Sequence, residues 1–229
     1  MVIFFDVDDT LLDNATAQKC AAHKFAQNFY DVLGIEADAF VLQWHDVIAR
    51  HYARYLAGEI SFQEQRRGRV REFFGPQLSD LEADELFNVY LKYYEESWVL
   101  FPDVVPTLEL LADFKLGVIT NGNPRQQHKK LQRFGMADRF AVIVTPEDVG
   151  VSKPHPQIFR HACECVEARP ADCLYVGDQL ETDAQAARSA GLISVWLSRE
   201  VVTMPVPDID VIHTLTELPC YLSMDTVGK

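Results

Sequence analysis

Four short polar segments, each close behind an apolar run, carry residue types suited to moving a phosphoryl group: Asp6-Val7-Asp8-Asp9-Thr10, Thr120-Asn121-Gly122, Ser152-Lys153-Pro154, and Gly177-Asp178 followed by Asp183. A phosphoryl group spreads its charge over its oxygens, so its transfer needs an in-line nucleophile, a cation and convergent hydrogen-bond donors. Asp6 can be the nucleophile, dividing one hard displacement into two through an aspartyl phosphate. Asp8 stands two residues on, within reach of the ester oxygen that Asp6 displaces, and suits a general acid that then serves as general base for water. That role needs a proton on Asp8 at the outset, which crowding by other carboxylates favours. Asp178 and Asp183 add negative charge to the same place, and Mg2+, which prefers oxygen ligands, resolves the repulsion. Thr120 offers a hydroxyl, Asn121 a backbone N–H and Gly122 a close backbone approach, together an anion cradle. Lys153, in a loop stiffened by Pro154 and Pro156, can offset charge on both Asp6 and the phosphate.

For those residues to meet, the elements ahead of them must share one edge. Apolar runs at Val2 to Phe5, Leu116 to Ile119, Ala141 to Val144, Leu174 to Val176 and Ile193 to Leu197 suit buried parallel strands. Helix-compatible stretches fall between them, at Pro106 to Phe114, Arg125 to Phe134, Gln157 to Ala168 and Thr182 to Ala190. The alternation predicts an α/β fold, a doubly wound parallel sheet with a Rossmann-like core, whose ligands bind beyond the carboxyl ends of the strands. From Asn14 to about Leu100 the pattern changes. No strand-like run occurs, and helical stretches dominate around Thr16 to Leu33, Ala39 to Leu56, Phe62 to Phe74 and Asp80 to Trp98, punctuated by Gly34, Gly58 and Gly75-Pro76. The expected organisation is a catalytic core of residues 1–13 and 101–229 with an all-helical cap of residues 14–100 inserted in it.

The 229 residues carry 34 acidic against 21 basic side chains, a formal net charge of -13. That field repels nucleic-acid backbones and anionic membranes, so neither is an expected partner, whereas a small phosphate ester held by local donors and a metal is. The five cysteines are odd in number and show no CxxC spacing, which points to a reducing compartment and buried thiols. With no basic leader and no long apolar segment, the chain reads as cytoplasmic. Asp9 reads as a cap or loop residue, His155 as shaping the Lys153 loop, and the Arg66-Arg67-Gly68-Arg69-Val70-Arg71 run as a solvated helix face.

Taken singly, an Asp-Asp-Thr is an ordinary helix cap, a Thr-Asn-Gly a turn and a Gly-Asp a strand end. In order, each after an apolar run, the four segments resemble the motif set of haloacid dehalogenase-like hydrolases. The helical insertion after the first motif is similar to the cap of that superfamily's phosphatases, with likenesses to pyrimidine 5'-nucleotidases, N-acylneuraminate-9-phosphatases and riboflavin-pathway phosphatases. The resemblance implies a magnesium-dependent phosphatase in which Asp6, Asp178 and the Asp8 backbone carbonyl bind the metal, Asp183 acts through water or Lys153, and Asp6, Asp8, Thr120 and Lys153 are catalytic. It implies a cap that closes over the site and selects a small phosphorylated metabolite. The aromatic residues of the insertion put a nucleoside 5'-monophosphate ahead of a sugar phosphate. A phosphomutase keeps the same motifs. A dehalogenase, as the resemblance goes, lacks an acid two residues after the nucleophile. A phosphoaccepting signalling module is much shorter than this chain. The expected assembly is a monomer or homodimer.

Overall fold

The structure, a computed structural model, describes residues 1–200 and 207–225; the parts of the expected core at 201–206 and 226–229 lie outside them. In chain order the elements are β1 (Val2–Phe5), α1 (Asn14–Asn28), α2 (Tyr30–Leu33), α3 (Ala37–Leu56), α4 (Phe62–Phe74), α5 (Asp80–Glu96), α6 (Val104–Leu110), β2 (Lys115–Ile119), α7 (Pro124–Arg133), β3 (Phe140–Val144), α8 (Pro146–Val149), α9 (Pro156–Cys165) and β4 (Cys173–Gly177). A π-helical turn over Leu180–Gln185 then runs into α10 (Ala186–Ser189), and β5 (Ile193–Leu197), β6 (Asp210–Ile212) and α11 (Leu218–Asp225) follow. The chain divides into two compact units: Asn14–Val99, and the sheet unit formed by Met1–Asp13 with the described residues from Leu100 on. Leu100 goes with the sheet because it bridges Leu12 in antiparallel fashion and Phe101 N donates to Leu11 O at 3.1 Å.

All six strands pair in parallel in the order β3-β2-β1-β4-β5-β6. The central strand, Val-Ile-Phe-Phe, is buried along its whole length, the continuous apolar run that a strand covered on both faces requires. Its register sets Phe5 beside Val118 of β2 and Val176 of β4, so the residues after these three strands emerge at one level. One face is closed by Ile158, Phe159, Ala162, Ala186 and Ala187 of α9 and α10 packing on Phe4, Ile119 and Tyr175. The edge strand β6 and the helices α8 and α11 are too short for a periodicity to stand out in the sequence.

The Asn14–Val99 unit is all helical and has its own aromatic core. Phe25 lies 4.9–6.0 Å, centroid to centroid, from Phe29, Phe40, Trp44, Phe74 and Tyr90. Ser61 and Ser79 open α4 and α5 with reciprocal capping boxes to Glu64 and Glu82. The arginine run of α4 is not the solvated face expected of it. Arg69 is buried, with burial lowering its pKa to about 10, Arg66 lies over the Phe62 and Phe87 rings, and Arg67 and Arg71 bind Asp80 and Asp84 or the Leu78 carbonyl. A helix packed on two sides draws its arginine stems onto neighbouring rings and their heads onto nearby acids. The thiols also correct the expectation: Cys163 and Cys173 are buried, but Cys20, Cys165 and Cys220 are exposed.

In the sheet unit Arg199, past β5, ties together the two chain passages that flank the insertion. Its guanidinium donates to Asp103 Oδ2 at 2.9 Å and to the Thr10 carbonyl at 2.8 Å, and lies 3.6 Å from the Phe101 ring centroid. Asp103 also accepts from Thr214 Oγ1 and from Leu215 N. Burial pushes the Asp103 carboxyl up, but these donors outweigh it and hold its pKa below the ordinary carboxylate value. Such a group stabilises the fold above its unfolded pKa and loses that contribution as pH falls through the folded one. We expect Asp103→Asn to cost about 1–3 kcal/mol at neutral pH, with the deficit shrinking below about pH 4; urea denaturation at pH 7 and pH 3.5 measures both, and a deficit that grows on acidification would contradict the ion-pair account.

Candidate active site

After β1 the chain turns sharply. Leu11 N and Leu12 N both donate to Val7 O, and Asp9 holds the left-handed conformation at φ 61°, which short polar residues tolerate best after glycine. This is the loop role expected of Asp9. The turn leaves Asp6 buried at the strand end, its N–H bonded to Val176 O at 3.0 Å, and Asp8 half-buried beyond it. After β4 the π-helical turn, the kind of local widening often found at functional sites, brings Asp183 back beneath its own strand end. Asp183 N donates to Gln179 O, and Asp183 Oδ2 accepts from Gln179 N at 3.0 Å. Gly177 is required here, since a Cβ on it would sit 2.5 Å from the Asp183 carboxyl. The continuous α-helix expected over Thr182 to Ala190 is therefore broken, its first turn widened and capped by its own aspartate.

At the centre lies Lys153, 4% exposed. Its Nζ donates to Asp6 Oδ1 at 2.7 Å, to Asp183 Oδ1 at 2.6 Å and to the Tyr175 hydroxyl at 2.8 Å. The Tyr175 hydroxyl is in turn 2.9 Å from Asp183 Oδ1 and 3.1 Å from the Ile119 carbonyl. Burial works against the ammonium, but the Asp183 and Asp6 charges outweigh it and the Lys153 pKa is raised. Burial also raises the Asp6 pKa well above the carboxylate range, Lys153 opposing and Asp183, Asp178 and Asp8 adding to it. Asp178 is pushed up to about 6, by burial first and then by Asp183. It accepts from Thr10 Oγ1 at 3.2 Å and Gln179 Nε2 at 2.5 Å, while its carbonyl accepts from the Trp196 indole at 2.7 Å.

Carboxylate oxygens of Asp6, Asp178 and Asp183 all lie within 4.8 Å of one another. Lys153 brings a single positive charge to the three, bonding to Asp6 and Asp183, which leaves an excess of negative charge on hard oxygen donors, the chemistry that fits Mg2+. The raised affinity of Asp6 and Asp178 for protons is the same unmet demand for positive charge.

The second motif has a further role in which the side chain of Asn121 takes part. Asn121 uses its side chain to hold the Lys153 loop, Nδ2 donating to Lys153 O at 3.0 Å and Oδ1 accepting from Lys153 N at 2.7 Å. Gly122 N donates to Thr120 Oγ1 at 3.1 Å, and Thr120 N to Val144 O at 3.0 Å. Thr120, Asn121, Gly122, Lys153, Asp6, Asp178 and Asp183 thus belong to one cluster at the carboxyl ends of β1, β2 and β4. Asp8 departs from expectation. Instead of being crowded by acids alone, its Oδ1 pairs with Lys130 Nζ and its Oδ2 accepts from Gln127 Nε2 at 2.8 Å, both from α7. Sequence reasoning missed Gln127, Lys130 and Tyr175. The available signal was a helix, α7, whose inward stripe of Gln127, Lys130 and Leu131 is mostly polar. His155 caps α9, accepting from Gln157 N at 3.2 Å.

Comparison with known proteins accords with this geometry. Residues 1–191 match the haloacid dehalogenase-like hydrolases, and the chain belongs to that family of enzymes. It is 29% identical to the glyceraldehyde 3-phosphate phosphatase of Methanopyrus kandleri over 86% of this chain and 83% of that one. It is 28% identical to the N-acylneuraminate-9-phosphatase of Mus musculus over 96% and 92% of the two chains, and 29% identical to the pyrimidine 5'-nucleotidase YjjG of Escherichia coli over 95% and 97%. Among solved structures, the magnesium-bound HAD-hydrolase YfnB of Bacillus subtilis shares the fold at a TM-score of 0.79 and 24% identity, over 97% of this chain and 98% of that one. No helix among the described residues is long and apolar enough to cross a membrane.

Removing the central cation exposes what it offsets. Lys153→Met leaves Asp6 and Asp183 buried without it, a loss of about 3–5 kcal/mol, or roughly 10 °C in Tm for a chain of this size. Because the buried acids then bind protons more readily in the folded state than in the unfolded one, the deficit should shrink as pH falls from 8 to 5. Calorimetry across that range checks it, and a deficit independent of pH would refute the electrostatic origin.

Proposed function

We propose that this chain is a Mg2+-dependent phosphomonoester hydrolase that acts on a small phosphorylated metabolite through an aspartyl phosphate on Asp6. The observation that carries the reading is the buried Asp6 carboxylate at the end of the central strand, held by Lys153 at 2.7 Å and faced by the acids Asp178 and Asp183. A carboxylate so held has one free oxygen to aim at phosphorus and little freedom to turn away. Asp6 attacks, the P–O ester bond breaks, and the departing oxygen takes a proton from Asp8. Water then attacks the aspartyl phosphate, Asp8 accepts its proton, the acyl phosphate P–O bond breaks and inorganic phosphate leaves. Thr120, the Asn121 backbone N–H, Gly122 and Lys153 bind the phosphoryl oxygens and hold their charge as it redistributes. Asp6, Asp178 and the Asp8 carbonyl would hold the metal, with Asp183 orienting Lys153. Bound there, Mg2+ supplies positive charge to the phosphoryl oxygens and lets the carboxylates approach them.

Among substrates we place a nucleoside 5'-monophosphate first, on the likeness to the Escherichia coli pyrimidine 5'-nucleotidase across nearly the whole chain. The glyceraldehyde 3-phosphate and N-acylneuraminate 9-phosphate enzymes, aligned almost as extensively, make a sugar phosphate the second reading. A panel of both classes, read as kcat/KM with release of inorganic phosphate, separates them; sugar phosphates favoured more than about a hundredfold would overturn the order. The same panel tests for a mutase, which would convert a sugar phosphate to its isomer without net phosphate release, and for a phosphoaccepting module, which would not turn over.

Three variants and a chelator test the chemistry. Asp6→Asn removes the nucleophile with little change of shape, so we expect turnover to fall by at least about a thousandfold while the circular dichroism spectrum is unchanged; activity within tenfold of wild type would rule out covalent catalysis. Chelation should abolish activity and added Mg2+ restore it, and Asp178→Ala should weaken Mg2+ binding more than Asp183→Ala. Isothermal titration gives that order, and the reverse would exchange the two roles.

A further inference from the structure

We propose that Gln127 and Lys130 form a clamp that aims the Asp8 carboxylate, making them positioning residues for proton transfer; the inference rests on the phosphatase reading above. The two side chains stand three residues apart on the inward stripe of α7 and take one carboxylate oxygen each, Lys130 Nζ at Oδ1 and Gln127 Nε2 at Oδ2, 2.8 Å away. Two donors on two oxygens fix a direction as well as a place, which one donor does not. Both side chains are buried, Lys130 at 1% exposure and Gln127 at 0%, whereas Asp8 keeps 28% of its side chain in solvent, the arrangement needed by a group that must meet a substrate.

The clamp is joined to the phosphate cradle. Gln127 Nε2 also lies 3.3 Å from Thr120 Oγ1, so one amide spans Asp8 and the residue placed at the phosphoryl group. Its Oε1 is left buried without a partner, and Gly122 has no Cβ where one would sit 1.8 Å from Nε2. A fold seeking only stability would fill that inward stripe with Leu or Met, because buried ammonium and amide groups are expensive. Here both are retained where they converge on the only carboxylate of the cluster that Lys153 does not bond to and that lies outside the acidic triad.

The test is leaving-group dependence. Lys130→Met and Gln127→Met are compared with wild type and with Lys130→Arg, using an alkyl phosphate, whose leaving oxygen needs a proton, and 4-nitrophenyl phosphate, whose leaving group needs none. General acid–base catalysis contributes about 10²–10⁴-fold, so a misaimed Asp8 should lower kcat on the alkyl ester by about a hundredfold with KM within threefold. On the nitrophenyl ester the first turnover should stay fast and the second slow, giving a burst of nitrophenol equal to the enzyme present. Lys130→Arg should recover most of the rate. Equal losses in the first turnover on both esters, or a raised KM with unchanged leaving-group dependence, would assign these residues to folding or phosphate binding and overturn the clamp. A wild-type enzyme inactive on every phosphate ester would overturn the phosphatase reading and the clamp with it, an outcome distinct from failure of the clamp in an active enzyme.

Discussion

One ammonium group permits the rest of the site. The carboxylates of Asp6 and Asp183, almost fully buried, converge on Lys153 Nζ, and Asp178 lies within 4.8 Å. Bringing those charges out of water together would be prohibitive without a counter-charge. Much of the surrounding structure keeps Lys153 where it is: Tyr175 from β4 bonds to Nζ, and Asn121 from the end of β2 grips the lysine's own backbone on both sides. The lysine is thereby anchored to two strands flanking the one that carries Asp6. Hydrogen bonds from several directions make this network rigid, and rigidity here keeps the remaining oxygen of Asp6 in a fixed direction.

The geometry around the core reflects this demand. The turn after β1 accepts a left-handed Asp9, and the segment after β4 accepts a π-helical turn, each less favourable than regular structure. Both lie within a few residues of an acid that must reach the lysine, and each redirects the backbone by the amount needed. Arg199 performs the complementary task at the point where the chain leaves for the helical insertion and rejoins the sheet, holding the Thr10 carbonyl and Asp103 together.

The sheet was legible because buried parallel strands write themselves as unbroken apolar runs, and the runs ending at Phe5, Ile119, Val144, Val176 and Leu197 are all strands of the sheet. The acids were legible because each follows such a run directly, so strand order alone assembles Asp6, Asp178 and Asp183 at one edge. What escaped was structure without periodicity, namely β6, α8 and the π-helical turn. Tyr175 escaped for a related reason: inside an apolar strand it reads as core, and only the register that sets it beside Phe4 brings its hydroxyl to Lys153. The exposed Cys165 and the buried Arg69 show the converse, that residue type predicts burial poorly when helix phase decides it.

Helix phase also explains why Asp8 was the site residue least well foreseen. Its spacing from Asp6 is read locally, but its surroundings are set by α7, more than a hundred residues away in the chain. Pro124–Arg133 carries four Lys and Arg residues, Arg125, Lys129, Lys130 and Arg133, and nothing in composition distinguishes them. Only Lys130 falls in phase with Leu131 and Gln127 on the buried face. Since the apolar stripe of a packed helix exists to bury hydrocarbon, a stripe that turns polar toward a strand end must be meeting something polar there. Here Lys130 meets the Asp8 carboxylate, so the polar interruption in the inner stripe of the helix after the second motif points to the carboxylate that helix serves.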